Sequence, residues 1–182
     1  MGLGNPGERY RETRHNVGFA VVEELARRRR VPLGGEECNS RVGRDGDLLL
    51  ALPQTYMNRS GYAAHCFVER HGFLPEEVLV VFDDVNLPLG RLRLRRAGSP
   101  GGHRGLESIV EGLQTDQVPR LRLGVAGEEG PPPGGDPLVD FVLTPFTAEE
   151  RPAVEAMVGR AADACEAWLE RGIEAAMNGF NG

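Results

Sequence analysis

The sequence predicts an α/β fold: a single-domain three-layer sandwich, residues 1–182, with a mixed, largely parallel central sheet flanked by helices. Three observations carry that reading. Stretches at helical period alternate with strand-sized apolar runs along the chain. One run, Val78 to Phe82, is continuously apolar, as a strand covered on both faces should be. Finally, 182 residues with 40% hydrophobic and 26% charged side chains can fill one packed core and are too apolar for a disordered chain.

In chain order, Val17 to Arg30 places Val17, Val21, Val22 and Leu25 at helical spacing, and Pro32 stops it. Arg41 to Arg44 and Asp47 to Leu52, joined around Gly46, read as a hairpin. Asn58 to Gly72 is a second helix ending on its own glycine. Val78 to Phe82 belongs at the centre of the sheet. Arg91 to Arg96 alternates Arg and Leu, the pattern of a half-buried strand with a basic outer face. Gly105 to Leu113 is a short helix reached through a glycine-rich turn, and Leu121 to Ala126 a further strand. Gly127 to Pro137 is too rich in Pro and Gly for regular structure and reads as a mobile surface loop. Ala148 to Arg171 is a long closing helix.

Composition excludes several classes. The longest aliphatic or aromatic runs fall far short of the roughly 18 residues of a membrane span. Met1 leads straight into GLGNPG without a basic start or a signal-length apolar stretch, so a cytoplasmic location is expected. All 21 basic residues are arginine, which removes the phosphate-loop, Schiff-base and kinase chemistries that need an ammonium group. Cys38, Cys66 and Cys165 are odd in number and widely spaced, and read as reduced thiols with no structural zinc. Gly90 to Arg122 carries seven arginines against three carboxylates, a net +4 in a chain whose total is −6. Such a patch suits a phosphate-bearing partner gripped at one place, although a solvated strand face explains it equally well.

Several segments could do chemistry. In Gly2 to Gly7, Pro6 fixes a turn that would orient the Asn5 amide, but a plain turn accounts for it about as well, and the spacing is not the dinucleotide fingerprint. His15, in Thr13-Arg14-His15-Asn16, stands before the first helix, where the helix dipole disfavours the imidazolium and leaves a neutral base. Asp83 and Asp84 end the central strand, at the tip where α/β folds put their sites. If Asp83 accepts the His15 Nδ1 proton, it fixes the tautomer and stabilises the imidazolium formed when a water is deprotonated. Without a Gly-x-Ser-x-Gly elbow, water is the expected attacker. Asn58 is either an N-cap or an amide donor to an oxyanion. Gly98 to Gly105, with His103 ambiguous within it, can offer backbone N–H groups to an anion. No metal-ligand spacing occurs.

Taken in order, GLGNPG with ERYRETRHNVG, QTYMNRSG, VVFDDVNLPLG, GSPGGHRGLESI and RLRLGV resemble the bacterial-type peptidyl-tRNA hydrolase family over nearly the whole chain. The resemblance implies an enzyme that cleaves the ester between a peptide and tRNA, recycling tRNA released by stalled ribosomes. It implies His15 as catalytic base and Asp83 as its orienting carboxylate. Asn5, Tyr10, Asn16, Met57, Asn58, His103 and Arg104 would contact substrate, and Arg95 and Arg122 would clamp the 5′-phosphate. The partner implied is tRNA, with neither cofactor nor metal, no membrane and no DNA, the protein acting as a cytoplasmic monomer. Arg104 stands where the family usually has asparagine, and the family's apolar lead before GLGNPG is missing, so either the start is assigned late or a central strand is short. The competing reading is a non-catalytic RNA-binding module on the same scaffold.

Overall fold

The computed structural model describes residues 1–127, 130, 132 and 135–181. Its strands are β1 (Gly35–Glu37), β2 (Ser40–Asp45), β3 (Leu48–Pro53), β4 (Val80–Pro88), β5 (Leu92–Arg95) and β6 (Arg120–Ala126). The helices are α1 (Val17–Arg29), α2 (Ser60–His71), α3 (Arg104–Leu113), α4 (Asp136–Val142) and α5 (Arg151–Phe180).

β4 lies parallel to β6, and β5 closes that side antiparallel to β6. On the other side Met1 to Leu3 fills the place of a short strand. Gly2 bridges Val81 in parallel, Leu3 N–H donates to Val81 O at 2.9 Å, and Gly2 N–H reaches Ala51 O on β3 at 3.0 Å. These bonds stitch the antiparallel β1-β2-β3 meander to the β4-β6-β5 sheet. Parallel pairing is therefore confined to the middle, and β4 is central, as its unbroken apolar run predicts.

Two helical layers cover this sheet. Val17, Val21, Val22 and Leu25 of α1 and Met157, Ala161 and Cys165 of α5 pack on Leu92, Leu94, Leu121 and Leu123. On the opposite face Leu106 and Ile109 of α3 and Ala64 of α2 cover Val80 and Phe82. α1 comes so close to the sheet that a Cβ on Gly18 would lie 2.3 Å from Val81 O.

Helix ends follow local chemistry. α1 stops at Arg29 because Arg30 turns left-handed (φ 57°), two residues before Pro32. Thr147 and Glu150 cap the start of α5 reciprocally, with Thr147 N–H on Glu150 Oε2 at 2.8 Å and Glu150 N–H on Thr147 Oγ1 at 3.3 Å. The regular turns of the closing helix begin at Arg151 rather than Ala148, since Pro152 has no N–H to bond Ala148 O, and they run past Arg171 to Phe180, broken at Gly172 (φ 81°, ψ 176°). Beyond it Asn181 bonds Leu94 twice, its Oδ1 accepting the Leu94 N–H and its Nδ2 donating to Leu94 O.

Three sequence expectations need correction. Cys38 and Cys66 form a disulfide, leaving Cys165 as a buried free thiol. Distant in sequence, they meet because the β1–β2 turn packs on α2, bringing their Cα atoms to 5.7 Å. Cysteine spacing carries no information about that contact. Residues 136 and 137, read as loop, open α4. The rest of that loop expectation falls largely on residues 128, 129, 131, 133 and 134, which lie outside the described residues. Third, Arg120 is not part of a solvated patch. Its guanidinium is buried and donates to the carbonyls of Gly98, Ser99, Asp116 and Val118, bracing the loop that leads to α3.

Candidate active site

Four segments converge on a cleft of about 490 Å³. His15 sits in a 3-10 turn (Arg14–Asn16) just before α1, and Asp83 lies on β4. Met57 and Asn58 occupy a second 3-10 turn (Met57–Arg59) ahead of α2. His103 and Arg104 open α3.

His15 Nδ1 stands 2.9 and 3.0 Å from the two Asp83 oxygens. Since a carboxylate only accepts, Nδ1 carries the proton and Nε2 keeps a lone pair. Burial alone would push the His15 pKa down, but the adjacent Asp83 charge outweighs it and raises the group above its ordinary value. Asp83 is buried, which disfavours its charge, yet His15 and His103 hold it well below the usual carboxylate range. A basic imidazole beside a permanently ionised partner can take a proton from water and keep it.

Asn5 is oriented by its neighbours. Its Oδ1 accepts the Met57 N–H at 2.8 Å, which leaves the Nδ2 end as the amide's free donor. Asn16 braces it from behind, taking the Asn5 N–H on Oδ1 and donating Nδ2 to Asn5 O, both at 2.9 Å. Met57 is buried at the cleft floor and Asn58 is exposed at its side. α3 packs closely here: a Cβ on Gly105 would sit 2.4 Å from the Met57 sulfur, so any larger residue would displace that side chain.

Of the residues singled out by sequence, His15, Asp83, Asn5, Met57, Asn58, His103, Arg104 and Arg122 meet in this cleft. Asn16 and Tyr10 do not line it. Asn16 supports Asn5, and Tyr10 stacks under Arg9 at 4.5 Å while its carbonyl accepts the Thr13 N–H. Arg122 is ion-paired to Asp84. Arg95 lies outside on β5, lining a separate hollow with Arg91 and Arg93.

Sequence reasoning missed two parts of the site. α4 supplies an apolar wall through Leu138, Val139, Val142 and Leu143. The i, i+1, i+4, i+5 spacing of those four residues was its signal. Arg14 fastens that wall to the base. Its guanidinium bonds both Glu150 oxygens at 2.9 and 2.7 Å and lies 4.5 and 4.8 Å from the Phe141 and Phe146 rings. No sequence period marks that pairing, because Arg14 and Glu150 are 136 residues apart.

His15, Asp83 and His103 also place three possible metal donors within 4.8 Å of one another. The hydrogen bonds account for them differently, with a ring N–H on each side of the carboxylate.

Comparison with known proteins agrees with this geometry. The family model described as peptidyl-tRNA hydrolase matches residues 1–182. The peptidyl-tRNA hydrolase of Methylacidiphilum infernorum is 46% identical over 179 residues, covering 98% of this chain and 94% of that one. That of Geobacillus kaustophilus is 44% identical over 185 residues, covering 100% and 97%. The crystal structure of the peptidyl-tRNA hydrolase from Acinetobacter baumannii superposes with a TM-score of 0.91 at 32% identity, covering 100% of this chain and 92% of that one. With a cleft built around the His15–Asp83 pair, and with relatives matched from end to end, the chain belongs to the peptidyl-tRNA hydrolase family.

Proposed function

We infer that the protein hydrolyses the ester joining a peptide to the terminal ribose of tRNA, in the cytoplasm and as a monomer, returning tRNA to use after release from stalled ribosomes. The single observation that carries this reading is the His15–Asp83 pair opening on the cleft. His15 Nε2 takes a proton from water as the oxygen attacks the ester carbonyl. The tetrahedral oxyanion is held by amide donors of the cleft lining, Asn5 Nδ2 and Asn58. The imidazolium, stabilised by Asp83, then returns its proton to the departing ribose oxygen. Met57, His103 and Arg104 shape the acyl and 3′-end pocket. Arg104 offers charge where an amide would both donate and accept. Tyr10 and Asn16 act from behind the cleft. Among the described residues no helix is long and apolar enough to cross a membrane.

Release of tRNA from an N-acetylated aminoacyl-tRNA, with the free-amine form as control, tests the reading. Hydrolysis of the blocked form alone is expected. Binding without turnover would instead favour an RNA-binding module, a reading against which a base with its orienting carboxylate weighs.

The phosphate-clamp role given to Arg95 and Arg122 has its own test. Replacing either by alanine should weaken tRNA binding and reduce the slope of log K against log salt by about 0.7 to 0.9. Unchanged slopes in both variants would remove that role.

The pH dependence follows from the sign of the His15 shift. The base works unprotonated, so kcat/KM should fall as pH drops through a pKa above the ordinary imidazole value. Asp83→Asn removes the charge that raises it, so the acid limb of the pH–rate profile should move to lower pH while the plateau drops. A limb that stayed in place would separate Asp83 from the titration of the base.

A further inference from the structure

Asp83 has a second imidazole partner that the mechanism above does not use. His103 Nε2 lies 3.1 Å from Asp83 Oδ1, the same oxygen that stands 2.9 Å from His15 Nδ1. The other ring nitrogen of His103 is also committed: Nδ1 caps α3, accepting the Leu106 N–H at 3.2 Å. A backbone N–H can only donate, so Nδ1 carries no proton, and the proton of the uncharged ring must be on Nε2. The ring is wedged in place, 4.5 Å from Phe82 and 5.3 Å from His15 between centroids, and the backbone N–H of His103 donates to Pro100 O at 3.1 Å.

We propose that His103 is a positioning residue locked in the Nε2–H tautomer by the α3 N-terminus, and that it divides the hydrogen-bonding capacity of Asp83 so that His15 receives only part of it. The proposal rests on the reading of His15 as the base. It gives His103 a role exerted through Asp83, additional to any contact with substrate. In that arrangement His103 cannot itself be a base, because its lone pair is spent on Leu106. The helix cap thereby restrains the proton affinity of a group on a different element.

Among the described residues, the other ionisable groups around the pair are few. Asp84 on β4 is tied to Arg122 of β6, Arg104 of α3 is at the cleft mouth, and Arg14 turns away to Glu150. The wall from α4 presents Leu138, Val139 and Val142. The 5.3 Å contact between the two imidazole rings is lost in both His103→Asn and His103→Gln, so the difference between them reads the effect of the Nε2 donor on His15 through Asp83.

Two substitutions separate the cap from the donor. Asparagine is a good N-cap but too short to reach Asp83, so His103→Asn keeps α3 and loses the donor. Glutamine reaches Asp83 with an amide N–H but caps poorly, so His103→Gln keeps the donor. With His103→Asn the carboxylate, less neutralised, should hold the His15 imidazolium more tightly, moving the acid limb of kcat/KM up by about half to one pH unit. With His103→Gln the limb should stay near that of the parent while thermal stability falls. A limb unmoved by His103→Asn, or moved equally by both variants, would overturn the proposal.

A second readout needs no substrate. Long-range 1H–15N spectra of the ¹⁵N-labelled protein should show His103 with Nε2 protonated and Nδ1 bare, and His15 titrating higher in His103→Asn than in the parent. The reverse tautomer, or an averaged one, would refute the lock. If the wild-type protein failed to turn over blocked aminoacyl-tRNA, the hydrolase reading would fail while these spectra still decided the tautomer.

Discussion

Replacing His15 by alanine is expected to lower kcat on N-acetylated aminoacyl-tRNA by roughly 10²- to 10⁴-fold while KM changes little. The expectation rests on geometry. His15 Nδ1 is committed to both oxygens of Asp83, so Nε2 is the one unshared lone pair that the pair presents to the cleft. Alanine removes the one group lining the cleft, among the described residues, that is raised in basicity and backed by a buried carboxylate. His103 cannot take over, since its nitrogens are occupied by Leu106 and Asp83. Binding should persist because the arginines on β5 and β6 and the cleft wall from α4 are untouched. Single-turnover hydrolysis and filter binding on the same preparation would check both halves. A variant retaining most of its turnover would show that water is activated elsewhere.

The largest expected loss of stability comes from Gly61→Ala. Helices α2 and α3 touch backbone to backbone at this glycine: a Cβ there would sit 1.9 Å from Ser108 O, and one on Gly112 would sit 2.8 Å from Gly61 O. Neither oxygen is the end of a flexible side chain, so relief requires the two helices to separate. Overpacking of this kind costs about 3 kcal/mol, at the upper end of the usual range. For a chain of this length that corresponds to a drop of roughly 6–12 °C in Tm. The separation would also cost activity, because α2 follows the turn bearing Met57 and Asn58 while α3 begins with His103 and Arg104. Ser108 Oγ accepts the Gly61 N–H at 3.0 Å, a bond that would lengthen as well. A Tm within a degree or two of the parent would mean that the helices slide apart at little cost.

Much of this was legible in the sequence for identifiable reasons. The central strand could be read from Val78 to Phe82 because burial on both faces removes alternation. Its end could not: Asp83 was expected at the strand tip, but β4 runs on to Pro88 and Asp83 lies within it, just before the register shifts after Asp84. His15 was legible from its place ahead of a clear amphipathic helix. What escaped depends on contacts between distant segments. Asn16 and Tyr10 belong to motifs that build the cleft, yet a motif does not reveal which of its side chains face inward. Asn16 holds Asn5, and Tyr10 anchors the turn before His15. Arg120 and Arg122 are two residues apart in one strand, and nothing local says that the first is buried under four carbonyls while the second reaches a carboxylate. The Cys38–Cys66 bond was missed because pairing depends on packing of the hairpin turn against α2.

The double bond between Asn181 and Leu94 has a consequence for how copies of the protein meet. An asparagine amide has the same donor and acceptor as a peptide group, so this side chain serves as a false strand one residue long at the open margin of β5. An extended segment from another molecule cannot pair at that rung without first evicting it. Sheet growth from chain to chain is thus obstructed at that rung, beside Arg91, Arg93 and Arg95.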